Sequence, residues 1–459
     1  MKPVATHQSD RLGTENMGRL LYSLSLPSMM GMMAITLYHL ADTIFVGRGV
    51  GTMALAGVSV SLPFLLTVTN IGLAIGIGGA SIISRALGAR DHAKAQMVLN
   101  NIFKLVLVVN VISIGLAYIF IDPLLYLFGA NHEIIPYARS YSSICLVGSF
   151  FMNIINVNMN AIRAEGNARF VMFVQTGAAL LNVVIDPIFI FWFKWGVQGA
   201  ALATVLSQAW GASMSFWYYY NSKKRVIGFT GLSFLQPFDS KIIKETLALG
   251  ASSFARHIGN TLMSIALFQV LLHYSGSIAI AAFGIIFRLL MFTYMPIFGI
   301  NQGFMPIAGY NYGARNFSRV LKSLQLANIA ATSLSLISFV AMLVWSRELM
   351  SVFTADQDLV ELGHRALQIV VLAFPLLGIQ IIGSGLYQAL GKSLGALFLA
   401  LARQVVFLIP FVLLLPLLWG ETGIWIAFPA SDFLAGIITL VMIVAQSKLL
   451  RKQMKSMQV

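Results

Sequence analysis

Residues 83–99 carry the sequence ISRALGARDHAKAQMVL, and a related sequence, AGYNYGARNFSRVLKSL, occupies residues 308–324. The matching positions keep one constant offset in numbering: Gly88 pairs with Gly313 (313 − 88 = 225), Arg90 with Arg315, and Gly166 with Gly391. Separate matches at one offset mark a duplicated unit. The chain is therefore predicted to contain two copies of one fold.

The composition indicates what kind of unit is duplicated. Apolar residues make up 58% of the 459 and charged residues only 10%, with a mean hydropathy of +0.82. Soluble proteins have about 25% charged residues, whereas about 20 apolar residues span a bilayer as a helix. Twelve apolar segments occur, at residues 17–41, 53–83, 99–121, 136–160, 170–193, 196–220, 243–273, 277–306, 320–346, 360–388, 394–418 and 423–447. The predicted fold class is an all-α integral membrane protein with twelve transmembrane helices.

The repeat also predicts how these helices are arranged. Each copy holds six helices and six is even, so both copies enter the membrane from the same side as parallel repeats. We expect an N-terminal six-helix lobe at residues 1–222, a cytoplasmic linker at 223–242, and a C-terminal six-helix lobe with a basic cytoplasmic tail at 243–459. Two lobes with a cavity between them provide the geometry that alternating access needs.

The net charge of +14 is distributed by loop rather than gathered on one surface. Basic residues concentrate in alternate loops, which the positive-inside rule assigns to the cytoplasm. Both termini are then cytoplasmic, and the protein is expected to be a multi-pass component of the plasma (inner) membrane that contacts lipid, not nucleic acid. The first twenty residues lack a short apolar run, so the first apolar segment is expected to stay in place rather than be cleaved as a signal peptide.

Two acidic residues lie at membrane depth in the first copy. Asp42 is in ITLYHLADTIFVG and Asp186 is in LLNVVIDPIFIF, and their counterparts in the second copy are Leu267 and Phe411. Ionisable residues in the bilayer are costly and usually functional. Because the second copy lacks these acids, they are not required by the shared fold and point to a function of the first lobe.

Oxygen-bearing groups surround Asp186 in the sequence. Asn182 lies one helical turn earlier on the same face, and Pro187 leaves the carbonyl of Val183 without its helical donor. Thr204, in the next helix, adds a hydroxyl. These oxygens suit a hard cation or a proton relay, although an Asp–Asn pair that only ties helices together is the alternative interpretation.

The first helix carries two further candidates. Tyr38 precedes Asp42 by four residues, and Pro27 lies fifteen residues before Asp42. A proline in a spanning helix frees a carbonyl, here that of Ser23, and permits a bend. If Asp42 and Asp186 face each other they titrate as a coupled pair, which links cation loading to the bend.

The second copy has a different charged set, in which Arg256 and Asp432 form a candidate polar site. Asp432 is either a third cation site or the partner of an arginine, and we favour the paired interpretation. No phosphate-binding loop, HExxH or CxxC motif occurs, and Cys145 is the single cysteine. Hydrolytic chemistry, a cysteine-bound metal and a cofactor are therefore not expected, and the protein is not predicted to be an enzyme.

These stretches together resemble the multidrug and toxic compound extrusion (MATE) family, particularly its DinF-like branch, over essentially the whole chain. The resemblance rests on SLPSMM and LYHLADTIFVG in the first helix, the LGAR and YGAR loops, IRAEGNARF, LLNVVIDPIFIF and GVQGAALATVLSQ. It implies two six-helix bundles around a V-shaped central cavity, and export of cationic lipophilic compounds driven by a proton or sodium gradient.

The resemblance also carries over individual residues. The family's first-lobe cation site, for H⁺ or Na⁺, corresponds to Asp42, Asn182, Asp186 and Thr204, with Tyr38 beside it, and the proline of its bending helix corresponds to Pro27. The NorM-like branch has acids in helices seven and ten, where this chain has FARHIGN and LLGIQIIGS without an acid. This departure places the coupling in the first lobe and favours protons, which need only carboxylates.

Two other functions fit less well. A flippase for a lipid-linked or polysaccharide precursor would use the same kind of fold with a more basic cavity. A membrane-embedded enzyme or receptor would need a catalytic constellation or an extramembrane domain. The expected partners are small organic cations and the bilayer, with no obligatory protein partner.

Overall fold

The computed structural model describes residues 8–222, 225–229, 237–354 and 356–457, and no strand occurs among them. The α-helices are α1 Arg11–Thr14, α2 Met17–Gly49, α3 Thr52–Gly88, α4 His92–Ile119, α5 Ile121–Leu127, α6 Ile135–Ala164, α7 Ala168–Pro187, α8 Gly196–Asn221, α9 Ser240–Gly313, α10 Phe317–Val344, α11 Ser346–Ser351, α12 Gln357–Val370, α13 Leu377–Ala389, α14 Ser393–Leu401, α15 Ile409–Leu414 and α16 Pro416–Ser456. Residues 223–224 and 230–236 of the predicted linker lie outside the described residues.

Ten helices of the described chain are long and apolar enough to cross a membrane. The predicted segments at 196–220 and 243–273 fall on α8 and on the part of α9 before Gly276, where polar and aromatic side chains lower the hydropathy. At Gly276 the backbone has φ of 70°, a conformation that favours glycine, so α9 consists of two successive helices joined at this residue. The protein is accordingly a multi-pass helical membrane protein.

The backbone repeats with the sequence. Most residues with positive φ in the described chain fall into pairs at an offset of 225 or 224: Gly51 and Gly276, Arg90 and Arg315, Gly166 and Gly391, Gly196 and Gly420. Turns at equivalent places in the two copies show that each copy folds the same way. The duplicated unit inferred from LGAR and YGAR is therefore a structural repeat.

The basic C-terminal segment is helical, because α16 continues to Ser456 rather than ending near residue 447. Lysine and arginine are good helix formers, and one face of this extension is anchored by Leu450, which is 0% exposed.

The two copies cross at the end that carries the LGAR and YGAR loops. A Cβ added to Gly88 would lie 1.9 Å from the carbonyl oxygen of Tyr310, and one added to Gly313 would lie 2.0 Å from that of Arg85. Only glycine permits backbones to approach this closely. Beside the crossing, Arg85 Nη2 forms an ion pair with Glu245 Oε1 at 2.8 Å.

Candidate functional site

Three helices of the first lobe bring the predicted polar residues together. Asp42 comes from α2, Asn182 and Asp186 come from α7, and Thr204 comes from α8. Asp42 is 7% exposed, Asn182 1% and Asp186 0%. The four-residue spacing within α7 places its two members on one face, so the cluster follows from the helical period.

Asn182 forms hydrogen bonds to two other members of this cluster. Its Nδ2 donates to Asp186 Oδ1 at 3.4 Å and to Thr204 Oγ1 at 3.4 Å. The amide thereby links α7 to α8, as the structural alternative predicts. Its own Oδ1 is buried without a donor, so the linking role leaves an oxygen free for a cation.

The two carboxyl groups contact each other. Asp42 and Asp186 lie within hydrogen-bonding range, and Asp42 Oδ1 and Asp186 Oδ2 are buried without a donor. No described lysine or arginine forms an ion pair with either acid. Since two adjacent buried carboxylates repel strongly, this arrangement requires a shared proton or a bound cation.

The backbone after Asp186 departs from an α-helix. α7 ends at Pro187, which cannot donate to the carbonyl of Val183, and a π-helical turn, Ile188–Trp192, follows. Such turns often occur at functional sites. The predicted free carbonyl lies within one turn of the carboxyl pair.

Tyr38 lies on α2, the helix that also carries Asp42. It precedes Asp42 by one turn of α2, and its ring centroid is 4.1 Å from that of the exposed His39. The structure therefore brings together Asp42, Asn182, Asp186 and Thr204, and it places Tyr38 one helical turn before Asp42.

The donor set fits a hard monovalent cation as well as a proton. Carboxylate, amide and hydroxyl oxygens are the ligands that hard cations prefer, and three of these oxygens are buried without a donor. Among the described residues no group of three or more His, Cys, Asp and Glu side chains could hold a metal ion.

Pro27 lies in the same helix as Asp42, at a buried position. α2 continues through it from Met17 to Gly49. Close to Pro27, the backbone carbonyl of Leu24 accepts a hydrogen bond from Ser28 Oγ at 2.9 Å. The helix is continuous, and the bend that the sequence suggests remains a proposal about motion.

The two second-lobe residues, Arg256 and Asp432, do not pair with each other. Asp432, 1% exposed, forms an ion pair with Arg403, whose Nη2 lies 3.3 Å from Asp432 Oδ2. This agrees with the paired interpretation of Asp432. Arg256 instead donates from Nη2 to Ser384 Oγ at 2.8 Å.

One acidic residue escaped the sequence analysis. Glu165, in IRAEGNARF, is 0% exposed in the loop between α6 and α7. Its Oε2 accepts from Tyr218 Oη at 2.9 Å and from the Val226 backbone N–H at 2.9 Å. Burial raises the pKa of this carboxyl to about 8. Its repeat counterpart is Leu390, so an acid in the first copy again corresponds to an apolar residue in the second, as it does at Asp42. This asymmetry could have identified Glu165 from the sequence.

Relatives share this architecture over nearly the full chain. Multidrug export protein MepA of Staphylococcus aureus (strain MSSA476) is 26% identical over 432 residues, covering 94% of each chain. A FAD transporter of Shewanella oneidensis is 28% identical over 428 residues, covering 92% of this chain and 93% of its own. The solved structure of the MATE multidrug transporter DinF-BH in complex with rhodamine 6G is 39% identical, with a TM-score of 0.89 over 96% of this chain and 98% of its own.

A family model matches the chain twice. The MatE model covers residues 27–188 and 253–414, and the numbers at which the two segments begin differ by 253 − 27 = 226. This is within one of the offset found in the sequence. The twelve-helix, two-lobe fold of the solved MATE structures confirms the predicted fold class, and members of this family are transporters, not enzymes. The chain belongs to the MatE family of multidrug efflux transporters.

Proposed function

We propose that the protein is a secondary antiporter that exports lipophilic organic cations in exchange for protons. Coupling occurs at Asp42 and Asp186, with Asn182, Thr204 and Tyr38 positioning the cation. Sodium would use the same oxygens.

The contact between the two buried carboxyl groups carries this proposal. In a low-dielectric site, like charges at contact distance cannot both be ionised without compensation. No described basic side chain supplies that compensation. The pair therefore holds either a proton or another cation. Antiport requires that the proton and the other cation do not occupy the pair together.

The fold supports a route by which this exchange moves cargo. The lobes cross closely at Gly88 and Gly313, so one end of the central cavity is closed in this conformation. Loading the carboxyl pair changes the packing between α2 and α7, and Pro27 gives α2 a place to bend. An alternating opening of the two ends follows, and the positive-inside rule assigns the closed end and both termini to the cytoplasm.

The relatives support the class of cargo. One is named a multidrug export protein, and another was solved with rhodamine 6G. Rhodamine 6G is an aromatic cation, and it provides a fluorescent substrate for a direct test.

The test is rhodamine 6G uptake into everted vesicles, energised in turn by a proton gradient and by sodium alone. Wild type should accumulate the dye only under the proton gradient, and Asp42→Asn and Asp186→Asn should not. Asp122→Asn is the matched control, because Asp122 has an exposed partner, Arg139, at 3.5 Å. Uptake that survives in both Asp42→Asn and Asp186→Asn would refute first-lobe coupling, and sodium-driven uptake would replace the proton in the proposal.

A second candidate is a flippase for a lipid-linked or polysaccharide precursor. The presence of two arginines, Arg256 and Arg403, in one cavity favours it, since such cargo bears phosphate. A relative named a FAD transporter has cargo of that chemistry. Transfer of a fluorescent polyprenyl phosphate between leaflets of reconstituted vesicles, without uptake of rhodamine 6G, would select this candidate.

A further inference from the structure

The second lobe contains a cavity of about 120 Å³. Its walls come from α9, α13, α14, α16 and the π-helical turn Ala402–Leu408. One water molecule needs roughly 10–15 Å³ of cavity volume, so this cavity admits a group substantially larger than a water molecule. The first-lobe acids do not line it, and it is a separate site from the one described above.

Arg256 lines this cavity without an acidic partner. Its one hydrogen bond among the described residues goes to Ser384, and its Cζ lies 5.8 Å from the ring centroid of Phe298. None of the ion pairs in the described chain includes it. A guanidinium has five N–H donors, so most of its donors are available.

Arg403, which also lines this cavity, shows how the same cavity neutralises a cation. Its guanidinium binds both carboxylate oxygens of Asp432 and lies 5.1 Å from the ring centroid of Tyr294. With two arginines and one aspartate, the site carries one net positive charge. A buried charge without a partner is costly, and a cation–π contact offsets only part of that cost.

The remaining walls suit a lipophilic body. Phe283, Phe287 and Phe428 contribute aromatic surface, and Met263 and Met291 contribute adaptable thioethers. Ligand sites typically combine such apolar walls with a few placed polar groups. The chemistry of the cavity therefore selects an amphiphile whose polar group is an anion.

We propose that Arg256 binds the carboxylate or phosphate of an aromatic amphiphile, with the rest of that molecule lying among the Phe and Met side chains of the second lobe. The proposal rests on the proposed export function and adds a substrate class to it: compounds that carry an acid as well as a cation. A carboxylate accepts two parallel N–H donors from one guanidinium, which gives the site a preference for acids over their esters.

Rhodamine 6G and rhodamine 19 provide a matched pair of probes, because the first is the ethyl ester of the second. Their dissociation constants are measured by fluorescence anisotropy on purified protein in phosphatidylcholine nanodiscs. No ion gradient is applied, so the outcome does not depend on whether the antiport proposal holds. The variants are Arg256→Met and Arg256→Lys. Arg288→Met is the control because it removes an exposed arginine of the same lobe that does not line the cavity.

Arg256→Met should weaken rhodamine 19 binding at least about tenfold, as expected for loss of a charge-assisted hydrogen bond, and leave rhodamine 6G binding unchanged. Arg256→Lys should retain part of the preference, since lysine keeps the charge but loses the bidentate geometry. Arg288→Met should behave as wild type. Equal loss of both dyes, or loss of neither, in Arg256→Met overturns the proposal. If that variant does not fold, an unchanged acid-to-ester ratio in Arg256→Lys overturns it.

A second arm separates a lipid from a free amphiphile as the source of the anion. Replacing part of the phosphatidylcholine with phosphatidylglycerol should weaken rhodamine 19 binding to wild type if the headgroup of an anionic lipid occupies the cavity. Affinity that is independent of phosphatidylglycerol assigns the site to a free acid. Weakening that persists equally in Arg256→Met shows a general surface effect and counts against the proposal.

Discussion

Substitution of Gly88 or Gly313 by alanine should open the end of the molecule at which the lobes cross. The added methyl would lie 1.9 Å from the Tyr310 carbonyl oxygen or 2.0 Å from that of Arg85. Ordinary van der Waals contact begins near 3.4 Å, so the two helices must separate by roughly the difference between these distances. The obstacle is backbone on both sides, and no side-chain rotation relieves it.

The size of the effect follows from the cost of overpacking. An extra methylene forced into a close contact costs typically about 1–3 kcal/mol. This cost falls only on the conformation in which the lobes cross, because the contact is lost when they separate. A change of about 2 kcal/mol shifts a two-state equilibrium roughly thirtyfold.

Thiol accessibility reports this shift directly. Cys145 is the only cysteine, so a Cys145→Ala background accepts a single probe at Ser84, which is 2% exposed beside Gly309 at the crossing. Maleimide labelling of Ser84→Cys should accelerate by about one order of magnitude or more in the alanine variants. Rhodamine 6G transport should fall with it, because the closed state becomes harder to reach.

Gly115→Ala and Gly284→Ala are the matched controls, since a Cβ at either position meets nothing within 4 Å. Both should label and transport as the parent does. Labelling of Gly88→Ala and Gly313→Ala at the control rate would show that the crossing is not needed to close this end, and the reasoning would fail.

Two further outcomes can be tested in purified protein. Burial raises the pKa of Glu165 from 4.5 to about 8. Between these pH values the folded protein therefore holds a proton that the unfolded chain releases. The free energy of unfolding should then fall as the pH rises, by up to about 1.4 kcal/mol per pH unit. Glu165→Gln should flatten the plot of melting temperature against pH, and an unchanged slope would show that another group titrates. Arg403→Met leaves Asp432 buried without its partner and should lower the free energy of unfolding by about 3–5 kcal/mol. The double variant Arg403→Met with Asp432→Leu should recover most of this loss. Equal denaturation midpoints for the single and double variants would contradict this expectation.

The sequence predicted the parts of the structure that depend on period and offset. Apolar segments identify helices wherever they span a membrane, and the constant offset identifies the duplication because both copies keep the same turns. The proximity of Asn182 and Asp186 follows from the helical period alone. That Asp42 meets Asp186 required a guess about packing between α2 and α7, which rested on both acids lying at membrane depth in one lobe.

Choices among partners could not be predicted in the same way. Arg256 and Arg403 are equal candidates for Asp432 in the sequence, and only the packing of α16 against the turn Ala402–Leu408 selects Arg403. Glu165 lies between two arginines, Arg163 and Arg169, in what looks like a solvated basic loop. Its burial depends on Val226, which follows it after the whole of α7 and α8 and returns to donate a hydrogen bond.

The crossing at Gly88 and Gly313 has the form of an isologous interface. Gly88 meets Tyr310 while Gly313 meets Arg85, and Tyr310 and Arg85 are themselves counterparts in the repeat. Gly78 likewise meets Gly250 while Gly303 meets Ser25, and these are also counterparts. Each lobe thus contacts the other through the equivalent surface, as the subunits of a two-fold homodimer do. A chain of half this length would carry a self-complementary face, so the pairing of the lobes is of a kind that association of two identical chains could have established before fusion joined them.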